Sequence, residues 1–313
     1  MKKIILMFAA VVMAAGVMSA QDINQATESY NNGAMELQMG NNEAAIENFQ
    51  AALTMGEALG DEGADLVANC KKAIASATLS MAKDLYNAKD FEGAAAAFVK
   101  AKEVAEGYGE TEIAEEAAEL VNQANALKFN TEGKAAMKAK DFPTAISCFT
   151  KVLELDPTNG ATAVQLGQAY MNAGQLDEAI TALETAMANG QEKNAAKILS
   201  NVYLKKAQAS NKAKNYQEVI DFAAKSNEAL ENGNAYKLTA SALQKLGKND
   251  ECIAAYEKYL EVTPNAKDAG GIICTIAVLY QQAGNKAKAK EYYEQIVNDP
   301  QYGATAQEQL KTL

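Results

Sequence analysis

Histidine, tryptophan and arginine are all absent from this chain. Without an imidazole there is no Ser/His or Cys/His nucleophile pair, no zinc helix built on two histidines and no side chain that titrates near neutral pH unperturbed. All 29 basic residues are lysines, so anions are met by point charges rather than by the guanidinium fork that grips carboxylate or phosphate with two bonds. Carboxylates, thiols and tyrosines remain. Glu112, Glu115, Glu116 and Glu119 fall at helical spacing, where neighbouring carboxylates can hold a cation or act as an acid/base pair. On an exposed helical stretch such groups are solvated, and we read them as surface. Cys70, Cys148, Cys252 and Cys274 are scattered, with no CxxC spacing for redox or zinc chemistry. Each lies in an apolar helical pattern and reads as a buried free thiol, with one bridge between Cys252 and Cys274, on consecutive helices, as the alternative.

Three short motifs fail on inspection. Gly247-Lys248 lacks the upstream glycine of a phosphate loop and is followed by Asn249 instead of a hydroxyl residue. Gly107-Tyr108-Gly109 has Glu112 where a dinucleotide fingerprint needs its last glycine. The run Asp156 to Gly160 lacks the ligand spacing and closing glutamate of a calcium loop. All three read as helix punctuation, and the expectation is a chain with no cofactor, no metal and no enzymatic activity. Among the tyrosines near the C-terminus, Tyr256 and Tyr293 take core positions, whereas Tyr259 and Tyr292 are less obliged to be buried and are candidates for partner contact.

The elements that position these residues are helices. The chain is 49% hydrophobic with only four prolines, too apolar for disorder and too poor in turn residues for a β-sandwich. It is also self-similar. Ala-Lys-Asp-Phe stands at 88–91 and again at 139–142, with Ala-Lys-Asn-Tyr at 213–216, and Asp or Asn there is a natural N-cap for the apolar period that follows. Elsewhere the same junction carries Gly40, Gly174, Gly247 or Gly284, closing one helix before the next opens.

Residues 1–20 read as an export signal. Lys2 and Lys3 give a positive start, Ile4 to Val17 an apolar stretch too short to span a membrane, and Ser19-Ala20 a small-residue exit. Cleavage is expected after Ala20, with Gly16 as the alternative. No later run of 18 apolar residues follows, so no transmembrane segment is expected and the mature chain is placed in the periplasm or exported. Removing the signal takes two lysines and no acids, which moves the side-chain balance from −11 to −13. A balance of that sign repels nucleic acid and anionic lipid.

Aligned on the junctions, residues 161–186 carry Leu166, Gly167, Tyr170, Gly174, Ala179, Leu183 and Ala186. This segment resembles the tetratricopeptide repeat, a 34-residue helix-turn-helix unit. Gly33, Phe49 and Ala52 mark a first such unit, Ala82, Ala94 and Phe98 a second, Gly133, Phe149 and Pro157 a third, Tyr236, Ala240 and Tyr256 a sixth, and Ala277, Tyr293 and Pro300 a seventh. The fifth is weakest, with Ala207 and Ala223. No unit has the family's tryptophan, and unit starts at 26, 75, 126, 160, 200, 233 and 270 stand 49, 51, 34, 40, 33 and 37 residues apart.

The resemblance implies an all-α fold, a right-handed superhelical α-solenoid of about seven hairpins. Longer hairpins are expected over 21–125, regular repeats over 126–303 and a capping helix over 304–313. It also implies a concave groove lined by the first helix of each unit, where a protein or an extended peptide binds. The positions that line it in the family map here to Asn130, Lys134 and Met137, to Gln168 and Met171, to Asn201, Gln208 and Asn211, to Asn234, Lys237, Ser241 and Gln244, and to Gln281. Amides dominate this set, and they offer the donors and acceptors that a peptide backbone needs. Asn130 and Lys134 match part of the clamp that some members use to hold a C-terminal carboxylate, but that clamp also needs an arginine. The functional expectation is a non-catalytic interaction scaffold of the cell envelope. The alternatives are a structural subunit of an envelope assembly or secretion machine and, more remotely, a carboxylate-dependent enzyme.

Overall fold

The computed structural model describes residues 20–313; apart from its last residue, the segment expected to be an export signal lies outside them. Among the described residues there are fifteen α-helices and no strand. They divide into two compact units, one ending at Lys128 and the other beginning at Phe129. The first holds α1 (Ala20–Gln38), α2 (Asn42–Ala58), α3 (Ala64–Asn87) and α4 (Phe91–Tyr108). The backbone of α5 (Thr111–Ala139) contributes to both. In the second follow α6 (Phe142–Leu155), α7 (Gly160–Ala173), α8 (Leu176–Ala188), α9 (Glu192–Lys212), α10 (Tyr216–Ala229), α11 (Gly233–Lys245), α12 (Asn249–Val262), α13 (Ala269–Gln282), α14 (Lys286–Gln295) and α15 (Gly303–Leu310).

Consecutive helices pair, and within each unit the second helix of one pair packs on the first helix of the next. The pairing has one repeated contact. A small residue on the first helix faces the residue sixteen positions later on the second: Gly33 with Phe49, Gly133 with Phe149, Gly167 with Leu183. A Cβ placed on any of these glycines would come within 2.6–2.7 Å of the facing side chain, so a larger residue would push the helices apart. The same separation carries Ala82 and Phe98, Ala240 and Tyr256, Ala277 and Tyr293, all buried. Burying such an aromatic side chain contributes roughly 1.5–3 kcal/mol. The weak fifth unit puts Ala207 and Ala223 there, and its interior is completed by hydroxyls: Ser226 donates to the Ser200 carbonyl at 2.9 Å, and the two Oγ atoms lie 3.0 Å apart.

The junctions show how the chain turns between paired helices. Gly40, Gly174, Gly247 and Gly284 all have φ between 75° and 83°, the left-handed conformation that costs glycine least. In the three Ala-Lys-Asp/Asn-aromatic junctions the same place is taken by lysine, with Lys89, Lys140 and Lys214 at φ 61–63°. The following residue then caps the next helix. The Asp90 carboxylate accepts from the Gly93 N–H at 2.9 Å and Asp141 from Thr144 at 3.3 Å. Asn215 departs from the expected cap: its amide donates to Glu218 at 3.4 Å and its side chain accepts nothing from the backbone.

Helix lengths separate the two halves. The helices α3 and α5 have 24 and 29 residues, against 13 or 14 for α7, α8 and α10 to α13. In the second unit α14 and α15 are shorter, at 10 and 8 residues, and α9 is longer. At 21 residues α9 begins at Glu192, ahead of the repeat start at 200, because Gly190 turns the chain early (φ 77°) and nothing after Gln191 breaks the helix. At the end of the chain Ala306 of α15 is buried against Tyr293 and Ile296, which covers the last pair.

Candidate functional site

The thirteen groove positions all fall on first helices: α5, α7, α9, α11 and α13. In the second unit these helices adjoin one another. α7 touches α9 and α9 touches α11, and the Asn130 amide of α5 donates to the Thr162 hydroxyl of α7 at 3.2 Å. Lys134, Asn201, Gln208, Asn234, Lys237 and Gln244 are exposed, while Asn130, Met137, Gln168, Met171, Asn211, Ser241 and Gln281 are half-buried. Several are committed within the chain. Met137 and Met171 rest against the apolar clusters beneath them, and Gln168 donates to Asn172 at 3.1 Å. Gln281 turns inward: it accepts from the Tyr293 hydroxyl and donates to Gln309, each at 3.0 Å, joining α13 to α14 and α15. Lys134, Asn201, Gln208 and Gln244 keep their side-chain polar groups free of hydrogen bonds among the described residues.

Lys237 belongs to a knot. Its ammonium bonds the Asp268 carboxylate and lies over the Tyr259 ring, 5.7 Å from the centroid, while the Tyr259 hydroxyl donates to the other Asp268 oxygen at 2.6 Å. The two donors, Lys237 first, hold the Asp268 carboxyl below its ordinary range, and the same bond holds Lys237 above its own. Tyr259 is 6% exposed, which corrects its reading as a candidate for partner contact. Tyr292 is likewise committed. It is half-buried, stacked on Tyr280 at 5.6 Å, and donates to Glu257 at 2.5 Å; burial first, and Glu257 second, push its hydroxyl pKa up. The four thiols are free, three of them buried and Cys274 half-buried. Cys252 and Cys274 sit in different apolar clusters, and burial pushes Cys70 and Cys252 up to about 11.

Nothing in this surface assembles a nucleophile and a base. A depression of about 410 Å³ at the start of α11 is lined by Asn232, Asn234, Asn265, Tyr259 and Thr263, but the two hydroxyls there already donate, to Asp268 and to the Tyr259 carbonyl. Among the described residues no three acidic or thiol side chains converge where a metal ion could sit, and no helix is long and apolar enough to cross a membrane. Glu112, Glu115, Glu116 and Glu119 are all exposed, and Glu116 pairs with Lys83 at 2.6 Å.

Charge is where the surface is organised. Residues 20–128 carry seven lysines against 19 carboxylates; residues 129–313 carry twenty against 21. Within the second unit the first helices (129–139 of α5, then α7, α9, α11 and α13) hold nine lysines and two glutamates. The second helices (α6, α8, α10, α12 and α14) hold six lysines and thirteen carboxylates. The face expected to bind a partner is therefore basic in a chain that is acidic overall. Lys197, Lys205 and Lys212 were not among the expected groove residues; a charge tally made helix by helix finds them, and a tally over the whole chain hides them.

Paired helices with a repeated small-to-large contact and an open polar face on the first-helix layer define a helical-repeat protein. Residues 136–202 match one tetratricopeptide repeat family model, and residues 235–266 and 271–298 match a second; the chain carries tetratricopeptide repeats. Over 69 residues it is 39% identical to the Hsp70-Hsp90 organizing protein of Triticum aestivum, an alignment that takes in 22% of this chain and spans only 12% of that relative's length. Among solved structures it is similar to the MamA protein, at 23% identity over 58% of this chain and 94% of that one, with a TM-score of 0.39. It is also similar to YrrB, described as a TPR protein with an unusual peptide-binding site, at 19% identity over 60% and 92% of the two chains, with a TM-score of 0.36.

Proposed function

We propose that this chain is a non-catalytic scaffold of the cell envelope, exported by its first twenty residues, which binds a partner protein or extended peptide on the first-helix layer of residues 129–313. One observation carries the reading. Adjoining first helices leave amides and lysines exposed and without internal partners, in a chain where most other polar groups of that layer are tied down. Amides there match both halves of a peptide bond, and groups that make no internal bond lose nothing within the fold when a partner takes them. The absence of histidine from the sequence and the committed state of the hydroxyls support a binding role over a catalytic one. The wheat relative's name, an organizing protein for two others, is consistent with partner binding. Lys2, Lys3 and the apolar residues behind them support export.

In-cell photo-crosslinking tests this. A crosslinker at Asn201 on α9 is expected to capture a discrete protein adduct, while one at the exposed Thr181 on α8 captures none. Equal capture at both sites, or none at Asn201, overturns the reading. Fractionation after expression tests export: the processed chain is expected outside the cytoplasm, and an unprocessed cytoplasmic chain refutes it.

A further inference from the structure

Three of the lysines on α9 form a stripe. At about 100° per residue, Lys197, Lys205 and Lys212 lie within roughly 80° of arc together with Asn194, Asn201 and Gln208. All six are exposed, whereas Ala195, Val202 and Ala207 on the opposite side are fully buried. None of the three lysines pairs with a carboxylate among the described residues. Lys206, one position from Lys205, faces the other way; it bonds Asp177 and lies 4.8 Å from the centre of the Phe222 ring. In a chain with 40 carboxylates for 29 lysines, the lysine that points inward has found a partner and the three that point out have not. The stripe also reaches into the early start of α9, which brings Asn194 and Lys197 into helix.

We propose that this stripe binds an acidic, extended peptide segment of the partner, with carboxylates against Lys197, Lys205 and Lys212 and main-chain amides against Asn194, Asn201 and Gln208. The lysines are eight and seven residues apart, about 12 and 10 Å along the helix axis. An extended chain covers that distance in three to four residues, so the segment carries an acid at about every third or fourth position. The amides set the alternative of a bare polyanion apart, because phosphates or polysaccharide acids offer no alternating N–H and C=O groups to them.

The proposal rests on the first-helix reading above and is tested on the full chain with defined peptides. The probe is a fluorescein-labelled peptide with glutamate at every fourth position and serine between, compared with its glutamine counterpart by anisotropy at 50 and 200 mM NaCl. The glutamate peptide is expected to bind about tenfold more tightly than the glutamine one at low salt, with most of that advantage lost at high salt. Combined Lys197→Glu, Lys205→Glu and Lys212→Glu is expected to remove the preference; the matching triple Gln variant, which keeps helix-compatible residues, is expected to reduce it. Combined Lys286→Glu, Lys288→Glu and Lys290→Glu on α14 is expected to change it less than twofold. Equal binding of the two peptides overturns the proposal. So does retained preference in the α9 variants, equal loss in the α14 variant, or equally tight binding of a single-stranded oligothymidylate. A partner captured at Asn201 whose binding ignores the α9 reversal overturns the acidic-peptide proposal alone, whereas no capture at Asn201 removes the first-helix reading beneath it.

Discussion

Residues 20–128 and residues 129–313 are made of the same hairpin, yet the first carries a side-chain balance of −12 and the second one of −1. In the first the excess acid is spread over α1, α2 and the front of α5; in the second, the first helices taken together are basic and the second helices taken together are acidic. The pair at sixteen-residue separation is the same in both, Ala82 with Phe98 and Gly133 with Phe149. Packing in a repeat array is settled by the apolar faces that neighbours share, which leaves the polar faces free to differ. The difference in charge is therefore not fixed by the packing that the two units share.

The largest expected effects ask whether the packing is in fact equivalent. Phe98→Ala and Phe149→Ala each empty a fully buried site and should cost about 3–5 kcal/mol, read by urea unfolding, with faster amide exchange confined to the unit that carries the change. A cost below about 1 kcal/mol in one unit only would break the equivalence. Gly133→Ala is the next in size. Its new Cβ meets the Phe149 ring at 2.6 Å, and overpacking of that kind costs about 1–3 kcal/mol, more than the roughly 1 kcal/mol that alanine gains over glycine in a helix. A net loss of stability is expected, and a net gain would show that the ring is free to move.

Smaller changes separate the junctions from the surfaces. Lys89→Gly in the first unit and Lys140→Gly in the second relieve a left-handed backbone and should each raise stability by about 1 kcal/mol or less; unequal gains would mean that the two turns differ. Salt should act on one unit more than the other. Raising NaCl from 20 to 500 mM screens the self-repulsion of residues 20–128, so their amide exchange should slow while that of residues 129–313 changes little. The smallest effect is local to the knot at Asp268. Its folded pKa is lowered, so the stabilisation is present above the unfolded value of about 4 and is lost as pH falls through the folded one. Asp268→Asn should accordingly flatten the acid limb of the stability profile and leave neutral pH less stable.

Much of this architecture could be read from the residues. The glycine junctions, the Asp90 and Asp141 caps and the small-to-large pairs are local signals, each contained in one turn or one hairpin. What escaped was set by neighbours distant in sequence. Tyr259 looked free because its own helix does not need it buried; the Asp268 loop and the start of α11 cover it. Gln281 looked like a groove amide until α15 brought Gln309 to it. The early start of α9 depended on Gly190, a turn that no repeat boundary marks. The basic first-helix face was invisible in a total of −13 because the opposite charges of the first-helix and second-helix layers cancel in the sum.

Both members of each sixteen-residue pair lie inside a single hairpin. Duplicating or deleting a whole hairpin therefore leaves every other pair intact, whereas inserting a few residues within a hairpin splits one. A gene for such a chain can change length in whole-hairpin steps without a new core being invented, and each step adds one more first helix to the row proposed to meet a partner.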